Sequence, residues 1–214
     1  MNLVWSPDMA SKAYIDTVKS CQKFEGTGVA ELLSAMAAGW NSKLIVESWS
    51  HGNPIATSVG LAVAASHTCG RHVCLVPDDR SRSSYMEAMR EVGISPINVV
   101  VGDEGKSVAE ISGVDFLVVD NSKCKDIVRV LRLSQEGAVL ACKNACERRN
   151  SGFRWNWVLD RRTHVMRSVF LPLEKGLDIA YVGANGGDGA SDEGPSRWIK
   201  HIDPRSGEEH IFRR

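Results

Sequence analysis

Acidic residues recur at the ends of short apolar runs along the first two thirds of the sequence. Four of them follow stretches rich in valine, isoleucine, leucine or phenylalanine, and they are Glu47, Asp78, Asp103 and Asp120. If these runs are parallel strands, the acids gather at one edge of the sheet, because parallel strands have their carboxyl ends on the same side. Each acid alone could simply cap the helix that follows its strand. Their coincidence on one edge favours a ligand site.

Two basic side chains accompany these acids. Lys143 follows the fifth apolar run and can act as a general base if burial lowers its pKa, although an ion pair with Asp120 is the preferred expectation. His51 lies in the loop after the first run, where it can contact a ligand, act as a base or hydrogen-bond within the loop. His67 and His72 flank the end of a helix and are interpreted as structural. No Ser-His-Asp or Cys-His arrangement has a recognisable spacing, so nucleophilic catalysis finds no support.

Five apolar runs predict the strands that position these side chains. The runs are nearly continuous in hydrophobic residues, a pattern typical of strands covered on both faces, and helical patterns separate them. Two further helices are predicted before the sheet, the first opening at Ser6-Pro7-Asp8 with a hydroxyl cap and a proline in its first turn. The predicted strands are 44–46, 73–76, 97–101, 116–119 and 138–142.

The last two strands of the predicted sheet are connected differently. Residues 168–173 and 177–182 are apolar runs separated only by Glu174, Lys175 and Gly176. So short a link cannot contain a crossover helix, so these strands must pair as an antiparallel hairpin. The sequence therefore predicts an α/β fold with five parallel strands, closed by an antiparallel hairpin, and helices on both faces.

Composition limits the cellular setting and the partners. With 43% hydrophobic residues among 214, the chain can bury a core without disulfides or a metal. The 26 basic and 26 acidic residues balance, which argues against binding nucleic acid or an anionic membrane through overall charge. No apolar run approaches the roughly 20 residues of a membrane helix, and no signal peptide is visible. Six cysteines without a CxxC pair indicate buried thiols in a reducing compartment, so we expect a cytoplasmic protein, with the nucleus not excluded.

The carboxyl-terminal part differs from the rest in composition. We expect the α/β domain to span residues 1–183, with its amino-terminal helices within 1–40. A flexible linker rich in glycine, serine and acids is predicted at 184–197, and a hairpin or tail at 198–214.

Arginines and tryptophans are interleaved between the fifth and sixth strands. Such a segment can bind nucleic acid or an anionic substrate, or it can be a solvated loop with its tryptophans packed on the domain. Overall neutrality favours the loop, and the segment is our candidate for a lid over a substrate. Its residues are Arg148, Arg149, Arg154, Trp155, Trp157, Arg161 and Arg162.

Three stretches resemble class I S-adenosylmethionine-dependent methyltransferases. Leu44–Glu47 is similar to a first strand ending in an acid, Asp115–Asp120 to a fourth strand ending in aspartate, and Phe170–Ala180 to the closing hairpin. The likeness covers about residues 25–183. It is closest to the small cation-dependent O-methyltransferases and to a plant family of uncharacterised proteins assigned to the same superfamily.

The resemblance implies S-adenosyl-L-methionine as cofactor, bound at the carboxyl ends of the strands. The helix after the first loop, where Asn53-Pro54 is the expected cap, would offer free N–H groups to a carboxylate. Acids after the second strand would bind ribose hydroxyls, and the turn after the third would hold the adenine. The cofactor-binding residues implied are Glu47, Ser48, Trp49, Ser50, Gly52, Asp78, Asp79, Gly102, Asp103 and Asp120.

The sequence also departs from the methyltransferase pattern. The first loop has one glycine, Gly52, and carries Trp49 where a second glycine is expected; the indole could fill the cofactor's space or stack on its adenine. Cation-dependent enzymes place an Asp-Asn pair after the fifth strand, whereas this chain has Lys143 and Asn144. Because a lysine beside Asp120 would repel a divalent cation, we predict no catalytic metal.

The favoured hypothesis is a methyltransferase-like protein that acts on or binds a small molecule. Its catalytic candidates are Lys143, His51 and Asp120. The alternatives are a catalytically degenerate fold that binds a ligand or a protein partner and, less favoured, a nucleic-acid-binding module. The sequence does not indicate an oligomeric state.

Overall fold

The computed structural model describes residues 5–95, 98–102, 108, 110–146, 153–159, 163–183, 198–202 and 209–213. Two helices, α1 (Pro7–Ser20) and α2 (Gly28–Gly39), precede the sheet. The Ser6 hydroxyl accepts a hydrogen bond from the Met9 N–H and caps α1, as the sequence predicts. The two helices are joined by a buried hydrogen bond, 2.8 Å long, that the Thr17 hydroxyl donates to Ser34.

The sheet is built from alternating strands and helices. Its first half contains β1 (Leu44–Ser48), α3 (Ala56–Thr68), β2 (Arg71–Val76), α4 (Asp79–Glu91) and β3 (Asn98–Val101). The chain continues with β4 (Ser112–Val114), β5 (Phe116–Asp120), α5 (Cys124–Val130), β6 (Arg132–Leu133) and β7 (Ala138–Lys143), of which β4 and β6 lie outside the main sheet. A single 3-10 turn (Trp155–Trp157) comes before β8 (Val165–Leu171) and β9 (Leu177–Val182).

Seven of these strands form one sheet in the order β3-β2-β1-β5-β7-β9-β8. The first five are parallel, and β9 is antiparallel to both β7 and β8. The predicted fold, five parallel strands closed by a hairpin, is thereby confirmed. The chain order reverses between β1 and β5, so the loops after these two strands diverge and open a crevice at the carboxyl edge.

Both faces of the sheet are covered. On one face, Ile45 and Phe116 pack beneath helices α1 to α3, and on the other, Val46 and Leu117 pack with Val128 of α5. All five of these side chains are buried, which explains why the strands read as continuous apolar runs.

Three smaller features complete the description. Strand β4 pairs with β6, and β10 (Trp198–Ile202) pairs antiparallel with β11 (Glu209–Arg213). The linker expected at 184–197 lies outside the described residues. Buried thiols are confirmed at Cys21, Cys74, Cys124 and Cys142, whereas Cys69 and Cys146 are exposed.

Within the described residues, no helix is both long enough and apolar enough to cross a membrane.

Candidate ligand site at the carboxyl edge of the sheet

A cavity of about 300 Å³ opens where β1, β2 and β3 end. Its walls are mostly apolar, with polar groups from the first loop and from α5. It is lined by Ser48, Trp49, Ser50, Leu75, Val76, Pro77, Gly102, Val108, Lys123, Asp126, Ile127 and Val130. Four of the predicted cofactor residues therefore meet here: Ser48, Trp49, Ser50 and Gly102.

Trp49 forms one wall of this cavity. Its side chain is only 4% exposed and packs in a cluster with Ile55 and Val59, with its ring edge-on to that of Tyr85 at 5.4 Å between centroids. The indole therefore occupies the space between the sheet and the helices and leaves the cavity open beside it. The neighbouring Ser48 hydroxyl accepts a hydrogen bond of 3.2 Å from the Asp120 N–H and ties the ends of β1 and β5 together.

Glu47 does not line the cavity. Its carboxylate is fully buried, accepts a hydrogen bond of 3.0 Å from the Tyr85 hydroxyl and lies 3.1 Å from Nε2 of His72. Burial raises the pKa of Glu47, but His72, the Lys143 charge and Ser58 lower it more, so the net pKa is below the usual value. The residue is thus a buried, ionised carboxylate within the protein interior.

The two acids after β2, Asp78 and Asp79, lie at the amino terminus of helix α4. Asp78 caps this helix, because its carboxylate accepts a hydrogen bond of 2.6 Å from the Ser81 N–H. The backbone and hydroxyl hydrogen bonds of Ser81 lower the pKa of Asp78. Asp79 lies in the first turn of α4, and neither acid lines the cavity. Asp103, the expected partner of Gly102, lies outside the described residues.

His51 is held by helix α4 as well. Its Nδ1 lies 2.9 Å from the Ser84 hydroxyl and its Nε2 lies 3.4 Å from a guanidinium nitrogen of Arg80. The next residue, Gly52, has φ +88°, a conformation that favours glycine. The expectation that Asn53-Pro54 caps α3 is wrong, because Ile55 occupies the cap position and no side chain bonds to the first turn.

The expected ion pair between Lys143 and Asp120 is also wrong. Asp120 accepts hydrogen bonds at Oδ1 from the Ser122 N–H and hydroxyl, at 2.9 and 2.8 Å, and at Oδ2 from the side-chain amide of Asn144. Lys143 is not within ion-pair distance of any carboxylate among the described residues. Burial raises the pKa of Asp120, and these hydrogen bonds together with the Lys143 charge lower it further than burial raises it.

No cluster of three or more His, Cys, Asp or Glu side chains suited to a metal ion occurs in the part of the chain that the structure describes.

Sequence reasoning missed Asp178. This residue lies opposite Cys142 in the pairing of β9 with β7, close to the carboxyl end of β7. Burial raises its pKa more than the neighbouring Trp155 indole lowers it, and its Oδ1 has no hydrogen-bond partner of good geometry among the described residues. A charged residue in the second position of a buried strand is the signal that could have identified it.

The arginine and tryptophan segment is only partly described. Trp155 is buried in the core, whereas Trp157 is 56% exposed with the Arg154 guanidinium 5.6 Å from its ring centroid. Trp157 and Val182 line a surface groove. Val182 pairs with the first residue of β7, so this groove lies at the amino-terminal end of β7, on the opposite side of the sheet from the cavity. The lid expected over the substrate is therefore not formed by Trp157. The other arginines, 148, 149, 161 and 162, lie outside the described residues.

The sequence of the whole chain, residues 1–214, matches the family described as "Protein of unknown function (DUF1442)". The chain belongs to this family. No curated protein has a sequence that matches it.

The fold of this DUF1442 protein is similar to solved methyltransferase structures. A methyltransferase from Geobacter sulfurreducens is 21% identical with a TM-score of 0.55, over 82% of this chain and 89% of that chain. Cofactor-bound Rv0187 from MTB is 16% identical with a TM-score of 0.56, over 83% and 91%. The O-methyltransferase TomG from Streptomyces achromogenes, in complex with SAM, is 16% identical with a TM-score of 0.53, over 85% and 92%. These similarities identify the fold as the Rossmann-like methyltransferase fold.

Proposed function

We propose that this DUF1442 protein binds S-adenosyl-L-methionine in the cavity at the carboxyl edge and acts on a small molecule as a methyltransferase. The observation that carries the proposal is the position of the cavity, next to the point where the strand order reverses, which is where open α/β sheets bind ligands. Its volume lies at the lower end of the range of about 300–1,000 Å³ typical of small-molecule sites. The similarity to two cofactor-bound structures supports the same ligand.

The residues around the cavity suit different parts of this cofactor. The indole of Trp49 and the apolar walls from Pro77 and Val108 suit the adenine ring. Two further groups lie outside the cavity lining and would be reached only by a ligand that extends beyond it. The first-turn N–H groups of α3, which no side chain caps, suit the amino-acid carboxylate. Asp78, which caps α4, remains the candidate for the ribose hydroxyls. The cofactor, when bound, supplies an electrophilic methyl group on a sulfonium.

Lys143 is the candidate for removing a proton from the methyl acceptor. Among the described residues it has no carboxylate within ion-pair distance, whereas Asp120 and His51 are already engaged by their neighbours. A lysine that serves as a general base acts through its neutral amine. We keep the prediction that no metal takes part, because Lys143 and Asn144 stand where an Asp-Asn pair would hold one.

A second candidate function is a ligand-binding scaffold without catalysis, with a protein partner in place of an acceptor. It is favoured by the hydrogen bonds of Asp120 and His51, which leave only Lys143 uncommitted among the three predicted catalytic residues. Nucleic-acid binding finds less support, since the net charge is zero. The four buried thiols fit the cytoplasmic location that we propose.

Calorimetric titration with S-adenosylmethionine and S-adenosylhomocysteine, with NAD as a control ligand, tests the proposed cofactor. Ligand at 100 times its dissociation constant should add about 2.7 kcal/mol to the free energy of unfolding, a rise in melting temperature of about 5–10 °C. A well-folded sample that binds neither compound would contradict the proposal.

Two substitutions of Gly102 test whether the ligand binds in the cavity at the carboxyl edge. A Cβ at Gly102 would lie 3.6 Å from the Val76 carbonyl oxygen and 3.7 Å from a Val108 methyl group, which is ordinary contact. Gly102→Ala should therefore bind normally, whereas Gly102→Leu should fill the cavity and weaken binding at least tenfold. Equal binding by the two variants would mean that the ligand lies elsewhere.

Catalysis is tested separately once an acceptor is found by screening. Lys143→Met should keep its affinity for S-adenosylhomocysteine and lose about 10²–10⁴-fold in kcat, the usual contribution of a general base. The matched control is Lys125→Met on the exposed side of α5. Unchanged kcat in Lys143→Met would remove this residue from the proposal.

A further inference from the structure

The surface groove beside Trp157, at the amino-terminal end of β7, has a volume of about 740 Å³. Its floor includes the buried side chains of Leu131 and Val158, and its walls carry exposed polar and cationic groups. It shares no lining residue with the cavity at the carboxyl edge. Its volume lies within the range of about 300–1,000 Å³ typical of small-molecule sites, so it is a separate candidate site.

Two arginines line this groove without a carboxylate beside them. Arg129 lies in the last turn of α5 and Arg132 lies in β6, and both side chains are exposed. Among the described residues, neither guanidinium is within ion-pair distance of a carboxylate, and no aspartate or glutamate lines the groove. Two cations in one groove repel each other, and their planar donors fit a phosphate or a carboxylate. The groove is therefore suited to an anion.

Trp157 adds a flat apolar surface to the same groove. Its ring remains 56% exposed although the Arg154 guanidinium lies 5.6 Å from its centroid. An exposed indole is a platform on which a nucleobase or another flat ring can stack. Arg154 also adds a third positive charge beside the groove, since among the described residues it has no carboxylate within ion-pair distance.

Neutral polar groups complete the lining. The Ser134 hydroxyl accepts a hydrogen bond of 3.2 Å from the Glu136 N–H, and among the described residues it donates its own proton to no acceptor. Gln135 and Thr163 contribute an amide and a hydroxyl. These groups can donate hydrogen bonds to the hydroxyls of a sugar and accept them in return. The ligand that uses the whole lining thus combines a flat ring, a hydroxylated part and an anion.

We propose that this groove binds a free nucleotide, with its base on Trp157 and its phosphate between Arg129 and Arg132. The zero net charge of the chain does not oppose a local anion site, because exposed charges more than about 8 Å apart are largely screened at physiological salt. Two lining arginines suit one phosphate rather than the many phosphates of a nucleic acid. The proposal does not rest on the function proposed above.

Uridine 5′-monophosphate is the probe, because its base differs from the adenine of the cofactor proposed for the other cavity. Uridine lacks the phosphate, and ribose 5-phosphate lacks the base. In NMR titrations of the isotope-labelled full-length chain, the nucleotide should shift the indole N–H signal of Trp157 and the amide signals of Ser134 and Gly183. It should bind at least tenfold more tightly than either fragment. Added salt should weaken binding of the nucleotide and leave that of uridine unchanged.

Variants separate the two halves of the site. Arg129→Gln combined with Arg132→Gln should weaken binding of the nucleotide at least tenfold and leave that of uridine unchanged. The matched control removes two exposed arginines of α4, as Arg82→Gln combined with Arg90→Gln, and should bind like the unaltered chain.

The indole is tested by Trp157→Ala, which should weaken binding of the nucleotide and of uridine alike, by about fivefold or more. Because Arg129, Arg132 and Trp157 are exposed, their variants should fold, which the dispersion of the remaining NMR signals verifies.

Four results would overturn the proposal. The first is that the nucleotide does not bind at millimolar concentration, or binds no more tightly than ribose 5-phosphate. The second is that the variant of Arg129 and Arg132 binds it like the unaltered chain, or that the control variant loses as much affinity. The third is that the shifted signals come from around Trp49 and Gly102, which would assign the nucleotide to the other cavity. The fourth is that a short single-stranded oligouridylate binds at least tenfold more tightly than the nucleotide, which would identify RNA as the ligand.

Discussion

The side-chain amide of Asn144 donates a hydrogen bond to Oδ2 of Asp120, across the adjacent ends of strands β7 and β5. Asn144 adopts the left-handed backbone conformation, with φ 57°, which asparagine tolerates better than most residues. With Ser122 bound to Oδ1, both oxygens of Asp120 have protein donors. The neutral side-chain amide of Asn144, the residue after Lys143, thus stabilises the ionised carboxylate of Asp120.

Replacing the amide by a second carboxylate should reverse this effect. Asn144→Asp keeps the shape and the tolerance of the left-handed conformation but places two negative charges together. We expect the free energy of unfolding at neutral pH to fall by about 1–3 kcal/mol, since a hydrogen bond to a charged group is lost and a repulsion is gained. Thermal melts measure the loss.

Divalent cations provide the second part of this test. If the two carboxylates can share a cation, millimolar MgCl₂ should restore part of the lost stability of Asn144→Asp and leave the unaltered chain unchanged. Asn41→Asp is the matched control, because Asn41 is exposed and has φ 54°, the same backbone conformation as Asn144. An Asn144→Asp variant as stable as the unaltered chain would contradict the role given to this amide.

Glu47 should make stability depend on pH. Its folded-state pKa is lower than the usual value, so it contributes stability above the unfolded-state pKa of about 4.3, and this stability is lost as the pH falls through the folded-state pKa. At pH 7 the free energy of unfolding of Glu47→Gln should therefore be lower than that of the unaltered chain by roughly 1–3 kcal/mol. This difference should disappear below about pH 4.

The exposed Glu91, substituted as Glu91→Gln, is the control for this pH dependence. It should show a negligible difference at every pH. A Glu47→Gln difference that persists unchanged at pH 3 would mean that the carboxylate acts through packing rather than through its charge.

The fold was predictable from the sequence, whereas much of the site geometry was not. Continuous apolar runs and the short link at Glu174–Gly176 determine strand direction locally, and both predictions are confirmed. The partners of a polar side chain depend on elements distant in sequence. His51 binds to α4, and Asp120 binds Asn144 rather than Lys143, because the competing donors are brought together only by the folded sheet.

The hairpin turn offers a test of the closing strands. Gly176 has φ +88°, and a Cβ there would lie 2.7 Å from the Cys146 sulfur. Gly176→Ala should therefore lose about 1–3 kcal/mol, from backbone strain and from displaced neighbours. Gly26→Ala isolates the first cause, because Gly26 has φ +67° with nothing within 4 Å of the added Cβ. Equal losses in denaturant unfolding would show that the contact with Cys146 is immaterial.

Trp49 should report cofactor binding through its fluorescence. Its buried indole lines the cavity at the carboxyl edge, whereas Trp157 is exposed and lines the groove at the opposite edge. Saturation with S-adenosylhomocysteine should change the tryptophan emission of the unaltered chain and of Trp157→Phe. In Trp49→Phe most of that change should be lost.

The affinity of Trp49→Phe for S-adenosylhomocysteine distinguishes two possible roles of the Trp49 indole. If Trp49 stacks on the adenine, Trp49→Phe keeps a smaller aromatic face and should bind about threefold to tenfold more weakly, since aromatic pairs contribute about 0.5–1.5 kcal/mol beyond burial. If the indole instead narrows the cavity, the smaller ring should bind S-adenosylhomocysteine more tightly. An emission change that survives in Trp49→Phe and disappears in Trp157→Phe would place the ligand at the other edge of the sheet and contradict the proposed site.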